Sequence, residues 1–383
     1  MPNSKIRVLR IIARMNIGGP AIQITGLMQN LSPSRFEQLL LTGYCDNNEI
    51  DYLEQRGIEL SEIRLDGFGR SINFFADLKV VFKIRRVIKR YKPDIIHTHT
   101  AKAGFLGRLA AISSFQRQIR VHTYHGHLLY GYFGILKTKL LILIESFLAR
   151  YTDSLIAVGE KVRDDLIKEG IGKTQQFRVI GPGLEIGELI SRDFALRSLD
   201  ISPDKFVVSW IGRAVSIKAP HRIIQLAEEC RSRNSNVHFV LAGDGPLLSE
   251  LRETAESLNL SITFLGWQSD VERVLSFSDL VLLTSENEGT PVSLIQAQMA
   301  GIPVLTTDVG SASEVLIHEK SGFCMSYSTK DFADKIELLS TNAELRGSFG
   351  IVGKRNAMEK FSLGHIVANH ETLYLELINQ SKF

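Results

Sequence analysis

Short runs of apolar, mostly β-branched residues alternate along the chain with longer stretches in which apolar residues recur at helical spacing. This alternation is typical of parallel β-sheets covered by helices. In the first half the pattern predicts strands at Arg7–Ile12, Gln38–Thr42, Asp94–His97, Arg120–Thr123, Ser154–Val158 and Phe177–Ile180. In the second half it predicts strands at Phe206–Ile211, His238–Ala242, Ile262–Leu265, Leu280–Thr284 and Pro303–Thr306. Each half therefore supplies enough strands for its own doubly wound sheet.

The length of 383 residues exceeds what one ordinary hydrophobic core serves, so we expect two domains. The best linker candidate is Gly181-Pro182-Gly183 with the weakly patterned stretch that follows it. We therefore place one Rossmann-like domain at residues 1–183, a second at 184–362, and a final helix at 363–383. Two open parallel sheets that face each other would surround an interdomain cleft with the loops after their strands, where ligands of such sheets bind.

The composition is that of a globular protein, with 44% hydrophobic and 23% charged residues. A formal net charge of +3 is too small to make nucleic acid the default partner. The three cysteines lie far apart, which predicts reduced thiols in a cytoplasmic protein. We find no signal-peptide pattern, and charged residues interrupt the most apolar stretch, 131–150, so no membrane-spanning helix is expected.

A glycine pair follows the first predicted strand, in Asn16-Ile17-Gly18-Gly19-Pro20. Glycines let the backbone approach a ligand closely, and proline suits the first position of a helix. A helix N-terminus at this place favours a phosphate or another anion. An ordinary turn between strand and helix explains the same residues equally well, and the absence of a GxGxxG fingerprint argues against a dinucleotide cofactor.

Basic residues follow the first strand of the second half. Gly212 and Arg213 come directly after it, and Lys218 lies a few residues further on. Two cations on one loop at the mouth of a sheet suit a diphosphate, because guanidinium and ammonium groups neutralise its charge. Taken alone, basic residues on a loop are more often only solvated.

The most informative segment is Ser285–Gln296, which follows an apolar strand and leads into a helix that we expect to end at Gly301. Pro291 marks the first turn, so the amides of Gly289–Val292 are expected to point from the helix N-terminus into the cleft. Glu288 can accept hydrogen bonds from sugar hydroxyls, or it can simply cap the helix. The Gly-Thr-Pro insertion goes beyond what capping needs, which favours a binding role.

Together these motifs resemble the retaining glycosyltransferases of the GT-B fold known as family 4, or group 1, of the type that serves bacterial polysaccharide biosynthesis. The signatures of the second half are Gly212-Arg213 with Lys218, Ala242-Gly243-Asp244-Gly245-Pro246, Phe264-Leu265-Gly266-Trp267 and Glu288-Gly289-Thr290-Pro291. Those of the first half are Gly18-Gly19, His97-Thr98-His99-Thr100 and His122-Thr123-Tyr124-His125-Gly126-His127. The resemblance spans nearly the whole chain, and the joint pattern is far more specific than any single motif.

The resemblance implies that Arg213 and Lys218 hold the donor diphosphate and stabilise the leaving nucleotide. It implies that Glu288 contacts the transferred sugar and that His125 lines the catalytic centre. The remaining donor-binding candidates are Gly18, Gly19, Gly212, Gly243, Asp244, Gly289, Thr290, Pro291, Val292 and Gln296. It further implies retention of anomeric configuration, no metal cofactor, and a final helix that crosses back to the first domain.

Two residues depart from the family pattern. Gln296 stands where the family has a second glutamate that binds the nucleotide ribose, so weaker donor binding is expected. Ala219 stands where the family often has glycine after the lysine, which is a mild change unless the backbone there needs a positive φ angle.

Other histidines and one basic helix invite further interpretations. His97, His99, His122 and His127 could suggest a metal, but no carboxylate or cysteine is spaced to complete a ligand set. A helix with apolar Val80, Ile84, Val87 and Tyr91 on one face carries Lys79, Lys83, Arg86 and Arg90 on the other. Its basic face is either plain solvated surface or a contact with anionic lipid. The stretch Tyr130–Leu143 is a second candidate for meeting a lipid-linked acceptor.

The leading function is transfer of a sugar from a nucleotide-diphosphate sugar, a UDP sugar in preference to GDP-mannose, to a glycan or polyprenyl-diphosphate-linked acceptor. Two alternatives stay open. One is a nucleotide-sugar epimerase of the same fold, and the other is a non-catalytic nucleotide-sugar-binding scaffold, which Gln296 makes conceivable.

Overall fold

The computed structural model describes residues 5–46, 49–69, 71–126 and 134–381. Its strands are β1 (Ile6–Ile11), β2 (Phe36–Thr42), β3 (Glu62–Arg64), β4 (Ile95–His99), β5 (Ile119–Tyr124), β6 (Ser154–Ala157), β7 (Phe177–Val179), β8 (Phe206–Ile211), β9 (Val237–Ala242), β10 (Ile262–Gly266), β11 (Leu280–Leu283), β12 (Val304–Thr307) and β13 (Gly322–Met325). Its α-helices are α1 (Gly19–Asn30), α2 (Tyr52–Arg56), α3 (Phe74–Tyr91), α4 (Ala101–Ser113), α5 (Ile135–Ala149), α6 (Glu160–Lys168), α7 (Arg192–Arg197), α8 (His221–Ser232), α9 (Leu248–Ser257), α10 (Val271–Phe277), α11 (Val292–Met299), α12 (Ala312–Val315), α13 (Thr329–Thr341), α14 (Ala343–Phe361) and α15 (Leu363–Ser381).

The chain divides into two compact units. The first takes in the chain up to Leu184 and again from Leu363 onward, and the second runs from Glu185 to Ser362. Each unit is built on its own parallel sheet with helices around it. The predicted α/β architecture with two doubly wound sheets is therefore confirmed.

The sheet of the first unit has the strand order β3-β2-β1-β4-β5-β6-β7. Successive residues of a strand point to opposite faces, so Val8 and Leu9 enter different cores. Leu9 packs with residues of α3 and α4, and Val8 packs with residues of α1 and α15. The last helix thus completes one face of this unit, where Tyr374 is fully buried.

The sheet of the second unit has the order β10-β9-β8-β11-β12-β13. Strand order reverses direction beside β8, as it does beside β1 in the first unit. Loops at the carboxyl ends of strands next to such a switch point form the binding site of open α/β sheets. The loops after β1 and β4 in the first unit, and those after β8 and β11 in the second, are therefore the expected positions of ligand-binding residues.

All eleven predicted strands are present, with ends that differ by at most two residues, but the prediction missed β3 and β13. Both are edge strands. The only apolar residue of β3 is Ile63, which is exposed, and β13 begins with a glycine, so neither produces a buried apolar run.

Across the described ranges, no helix combines the length and apolar character that crossing a bilayer requires. The cysteines Cys45, Cys230 and Cys324 form no disulfide bond.

Candidate active site

In the second unit, the loops after β8 and β9 lie backbone against backbone. The N–H of Gly212 donates to the carbonyl of Ala242 at 3.1 Å, and the N–H of Ala214 donates to the carbonyl of Asp244 at 2.9 Å. A Cβ on Gly243 would lie 1.7 Å from the carbonyl oxygen of Gly212, so only glycine fits there. This packing leaves the side chain of Arg213 exposed, with no hydrogen-bond or ion-pair partner among the described residues.

The loops after β8 and β11 meet through an ion pair. Nζ of Lys218 lies 2.5 Å from Oε1 of Glu288, and the hydroxyl of Ser285 donates to the same oxygen at 2.6 Å. Glu288 is only 8% exposed, whereas Lys218 is 28% exposed. The structure thus brings two predicted site residues together across 70 positions of sequence and leaves the Lys218 side chain partly exposed.

Thr284 fixes these two loops to each other independently of that ion pair. Its hydroxyl accepts from Nε1 of Trp210 at 3.2 Å and lies 3.2 Å from the carbonyl oxygens of both Lys218 and Ala219. Nη1 of Arg222 donates to the carbonyl of Thr284 at 2.7 Å. Our sequence analysis placed Thr284 at a strand end and missed this role, because the partners come from distant parts of the chain.

Gly310, in the loop after β12, is a second support that our sequence analysis missed. Its φ angle is +52°, and a Cβ there would lie 1.8 Å from the carbonyl oxygen of Glu288. The next residue, Ser311, donates its N–H to the carbonyl of Gly289 at 3.1 Å. The available signal was a glycine just after a strand, in line with the other site loops.

The departure at Ala219 falls where the backbone does adopt a positive φ angle. This residue is fully buried and has φ 44° and ψ 51°, in the left-handed region where glycine is preferred. Ala219 therefore has a left-handed backbone conformation, which alanine disfavours. It is the C-cap of the short 3₁₀ helix Ser216–Lys218, whose last residue is Lys218.

Helix α11 begins after Pro291, which takes the N-cap position. It ends at Met299, and Gly301, just beyond its C-cap residue Ala300, has a φ angle of +81°. Both ends agree with the prediction. The motif residues Gly289 and Thr290 therefore lead directly into the first helical turn at Val292. Gln296 lies in the next turn and is half-buried. Its side-chain amide has no hydrogen-bond partner among the described residues.

In the first unit, Gly18 is the N-cap residue of α1 and Gly19 its first residue. His125 directly follows β5, so it lies at the same carboxyl edge of the sheet as Gly18. Nε2 of His125 lies 3.1 Å from Nδ1 of His99. Burial, with a smaller effect from His370, lowers the pKa of His125 to about 3, so its ring is neutral at physiological pH.

A buried polar network extends below His125. Nδ1 of His97 lies 2.6 Å from the Tyr374 hydroxyl and 3.1 Å from Nη1 of Arg10. Arg10 is fully buried, and no described carboxylate pairs with it. Burial first, and this guanidinium second, hold the pKa of His97 well below its usual value. Over the described residues, no group of three or more His, Cys, Asp or Glu side chains is arranged to hold a metal. His127 lies outside them, as does the start of the predicted segment 130–143.

Comparison with known proteins identifies this arrangement. Residues 17–188 match the family model described as Glycosyltransferase Family 4, and residues 191–356 match the model described as Glycosyl transferases group 1. The fold and the site loops thus define a glycosyltransferase of the GT-B class. The chain belongs to family 4, the group 1 glycosyltransferases, as the motifs indicated.

Characterised relatives include the UDP-Gal:α-D-GlcNAc-diphosphoundecaprenol α-1,3-galactosyltransferase of Escherichia coli, 28% identical over 275 residues, which are 68% of this chain and 70% of the relative. The capsular polysaccharide biosynthesis glycosyltransferase CapM of Staphylococcus aureus is 25% identical over 87% of this chain and 94% of its own length. Among solved structures, Anabaena HepE in complex with UDP and glucose is similar with a TM-score of 0.79 and 22% identity, over 96% of this chain and 99% of that one. At that identity the likeness shows the fold alone.

Proposed function

We propose that this glycosyltransferase moves a sugar from a UDP sugar to a glycan or lipid-linked acceptor in the synthesis of a surface polysaccharide, with retention of configuration and without a metal. The named relatives support the process and the acceptor class, since one acts on a diphosphoundecaprenol-linked sugar and another serves capsule synthesis. The UDP-Gal donor in the name of the Escherichia coli relative favours UDP over GDP.

The observation that carries this proposal is the constellation after β8 and β11. Arg213 is exposed without a partner among the described residues, and the partly exposed side chain of Lys218 lies in the same loop. Two cations of this kind can neutralise the charge that develops on a departing nucleoside diphosphate. Glu288, held by Ser285 and Lys218, offers its second oxygen to the hydroxyls of a sugar.

In the proposed reaction, the bond from the anomeric carbon to the donor phosphate breaks while the acceptor hydroxyl oxygen bonds to the same face of that carbon. The hydroxyl proton passes to the released phosphate, and Arg213 and Lys218 stabilise the nucleotide product. His125 is neutral, and with Nε2 turned to His99 it has Nδ1 left for a hydrogen bond to the substrate.

Thermal unfolding of the purified protein with UDP, GDP and their sugars tests the donor. We expect UDP and one UDP sugar to raise the free energy of unfolding by about 2.7 kcal/mol at a hundredfold excess over Kd. At the same ligand concentration, the Gln296→Glu variant should show a larger shift, because a carboxylate accepts hydrogen bonds from ribose hydroxyls more strongly. No shift with any nucleotide in either protein contradicts the proposal.

Lys218→Ala separates catalysis from simple binding. Losing this cation should reduce transfer by roughly 10²–10³-fold. A scaffold would keep its biological role without it. A product assay with donor alone covers the remaining alternative, since conversion of the donor sugar without acceptor would identify an epimerase.

A further inference from the structure

The solvent face of α3 is unusually apolar at its beginning. Phe74 and Phe75 are each 75% exposed and Phe82 is 58% exposed, and Leu78 lies on the same face. The opposite face, with Val80 and other aliphatic residues, packs into the core of the first unit. Our sequence analysis identified the packed face and the cations but not these exposed rings.

Helix α5 carries a second apolar stripe. Leu136, Leu140, Leu143 and Phe147 recur at intervals of four, three and four residues, which places them on one face, and each is at least half exposed. Lys137 and Lys139, both exposed, stand beside the first of them. Within the described part of the first unit the stripe stays exposed, apart from the contact of the Phe147 ring with Tyr151 at 5.2 Å between ring centroids.

These two helices belong to one surface. Helix α4 lies between them, tied to α3 by the ion pair of Lys102 with Asp77 at 2.7 Å and to α5 by that of Arg108 with Glu145 at 2.6 Å. Right-handed crossovers also place α3, α4 and α5 on the same face of the sheet. We call the solvent side of these helices, including the exposed Phe105 of α4, the three-helix face.

The charge of the three-helix face is one-sided. Its helices hold ten lysines and arginines but two carboxylates, Asp77 and Glu145, and both are engaged in the ion pairs just described. Exposed cations without a described ion-pair partner are Lys79, Arg86, Lys89, Arg90, Lys137 and Lys139. A symmetric contact between two copies would set these charges against each other, whereas a negatively charged apolar phase complements them.

We propose that the three-helix face docks on an anionic phospholipid bilayer, with its phenylalanines and leucines among the upper acyl chains and its cations at the headgroup phosphates. The exposed apolar residues of α3 lie in its first half, and the stripe of α5 begins in its first turn and runs along the helix. Helices that follow parallel strands start at the carboxyl edge of the sheet, the edge that carries Gly18 and His125. Docking therefore brings this edge to the membrane surface, where a lipid-linked acceptor resides, and that last step rests on the proposed function.

Co-sedimentation with vesicles tests the docking. We expect the full chain to bind phosphatidylglycerol-containing vesicles at low salt, at least about tenfold more tightly than pure phosphatidylcholine vesicles, with the difference reduced at high salt. The double variant Phe75→Ser/Phe82→Ser should lower the affinity for these vesicles by about tenfold or more, because it lacks two aromatic rings that would be transferred from water into the bilayer. Phe115→Ser is the matched control, since Phe115 is 92% exposed but follows the C-terminal end of α4, and it should bind as the wild type does.

UDP-induced thermal stabilisation, measured on the same proteins, keeps the two proposals apart. The double variant should retain the full UDP shift, which shows that it is folded and that docking is separate from donor binding. Absence of vesicle binding by the wild type, or equal binding by the double variant, would overturn the docking proposal. The docking proposal would also be overturned if the wild type formed a dimer, the double variant were monomeric, and neither bound vesicles. Vesicle binding without UDP-induced thermal stabilisation would instead contradict the proposed function and leave the docking proposal standing.

Discussion

Among single residues, Ala219 bears a backbone conformation that its side chain disfavours while it supports Lys218. Replacing it by glycine relieves about 1–2 kcal/mol of left-handed strain. The same change gives up roughly 0.8 kcal/mol of methyl burial and about 0.4–1 kcal/mol of chain entropy. The relief of strain opposes the other two effects, so the net change in the free energy of unfolding is small.

We expect Ala219→Gly to change the free energy of unfolding by less than about 1 kcal/mol. Ala297→Gly is the matched control, because Ala297 is equally buried but lies inside α11. There the helix propensity and the buried methyl are both lost, and we expect destabilisation of about 2 kcal/mol. Urea denaturation measures both. Equal losses in the two variants would show that the left-handed strain at position 219 is negligible.

Among the elements, α15 makes the first unit sensitive to acid. It places His370 beside His97, and the two fully buried rings lie 6.1 Å apart. Burial lowers the pKa of His370 to about 4 and also depresses the pKa values of His97, His99 and His122. The folded unit therefore keeps these rings neutral at a pH where the unfolded chain binds protons.

The sign of the pH dependence follows from that difference. The contribution of these histidines to the free energy of unfolding is fully present above the unfolded histidine pKa of about 6.5. It is lost as pH falls toward the folded pKa values, by up to about 1.4 kcal/mol per pH unit for each ring. We expect His370→Leu to flatten the fall in melting temperature between pH 6.5 and pH 4. His365→Leu, on the exposed side of the same helix, should leave the slope unchanged. Identical slopes in all three proteins would rule out His370 as a source of acid sensitivity.

For the whole molecule, the two units have separate cores, so matched tyrosine variants should act locally. Tyr374→Phe removes the hydroxyl that bridges His97 and Arg10, at a cost of about 1–3 kcal/mol. Tyr327→Phe removes a hydroxyl that donates to Gln225 in the second unit at 2.9 Å.

Hydrogen exchange followed by mass spectrometry distinguishes the two effects. Tyr374→Phe should speed exchange in β1 and β4 but not in β8 and β11, and Tyr327→Phe should do the reverse to a smaller extent. Uniform acceleration across both sheets by either variant would show that the units open as one.

The sequence by itself determined the α/β class, the eleven strands with apolar runs, and the loops that carry Arg213, Lys218 and Glu288. Those features depend on local periodicity and on motif order, which a chain displays without folding. It also indicated the family, because several spaced motifs had to coincide.

Only the tertiary structure decided features that depend on distant partners. Lys218 meets Glu288, and Thr284 reaches Ala219, because parallel strands bring their carboxyl ends to one edge. The edge strands β3 and β13 each pair with one neighbour, and they bury little of their own, since Ile63 of β3 is exposed and Phe323 is the one large buried side chain of β13. A linear pattern likewise does not tell which apolar residues of a helix find a partner, since Val80 is buried while Phe75 on the same helix faces solvent. Burial is a property of the packed layers, and the layers form only when residues far apart in sequence come together.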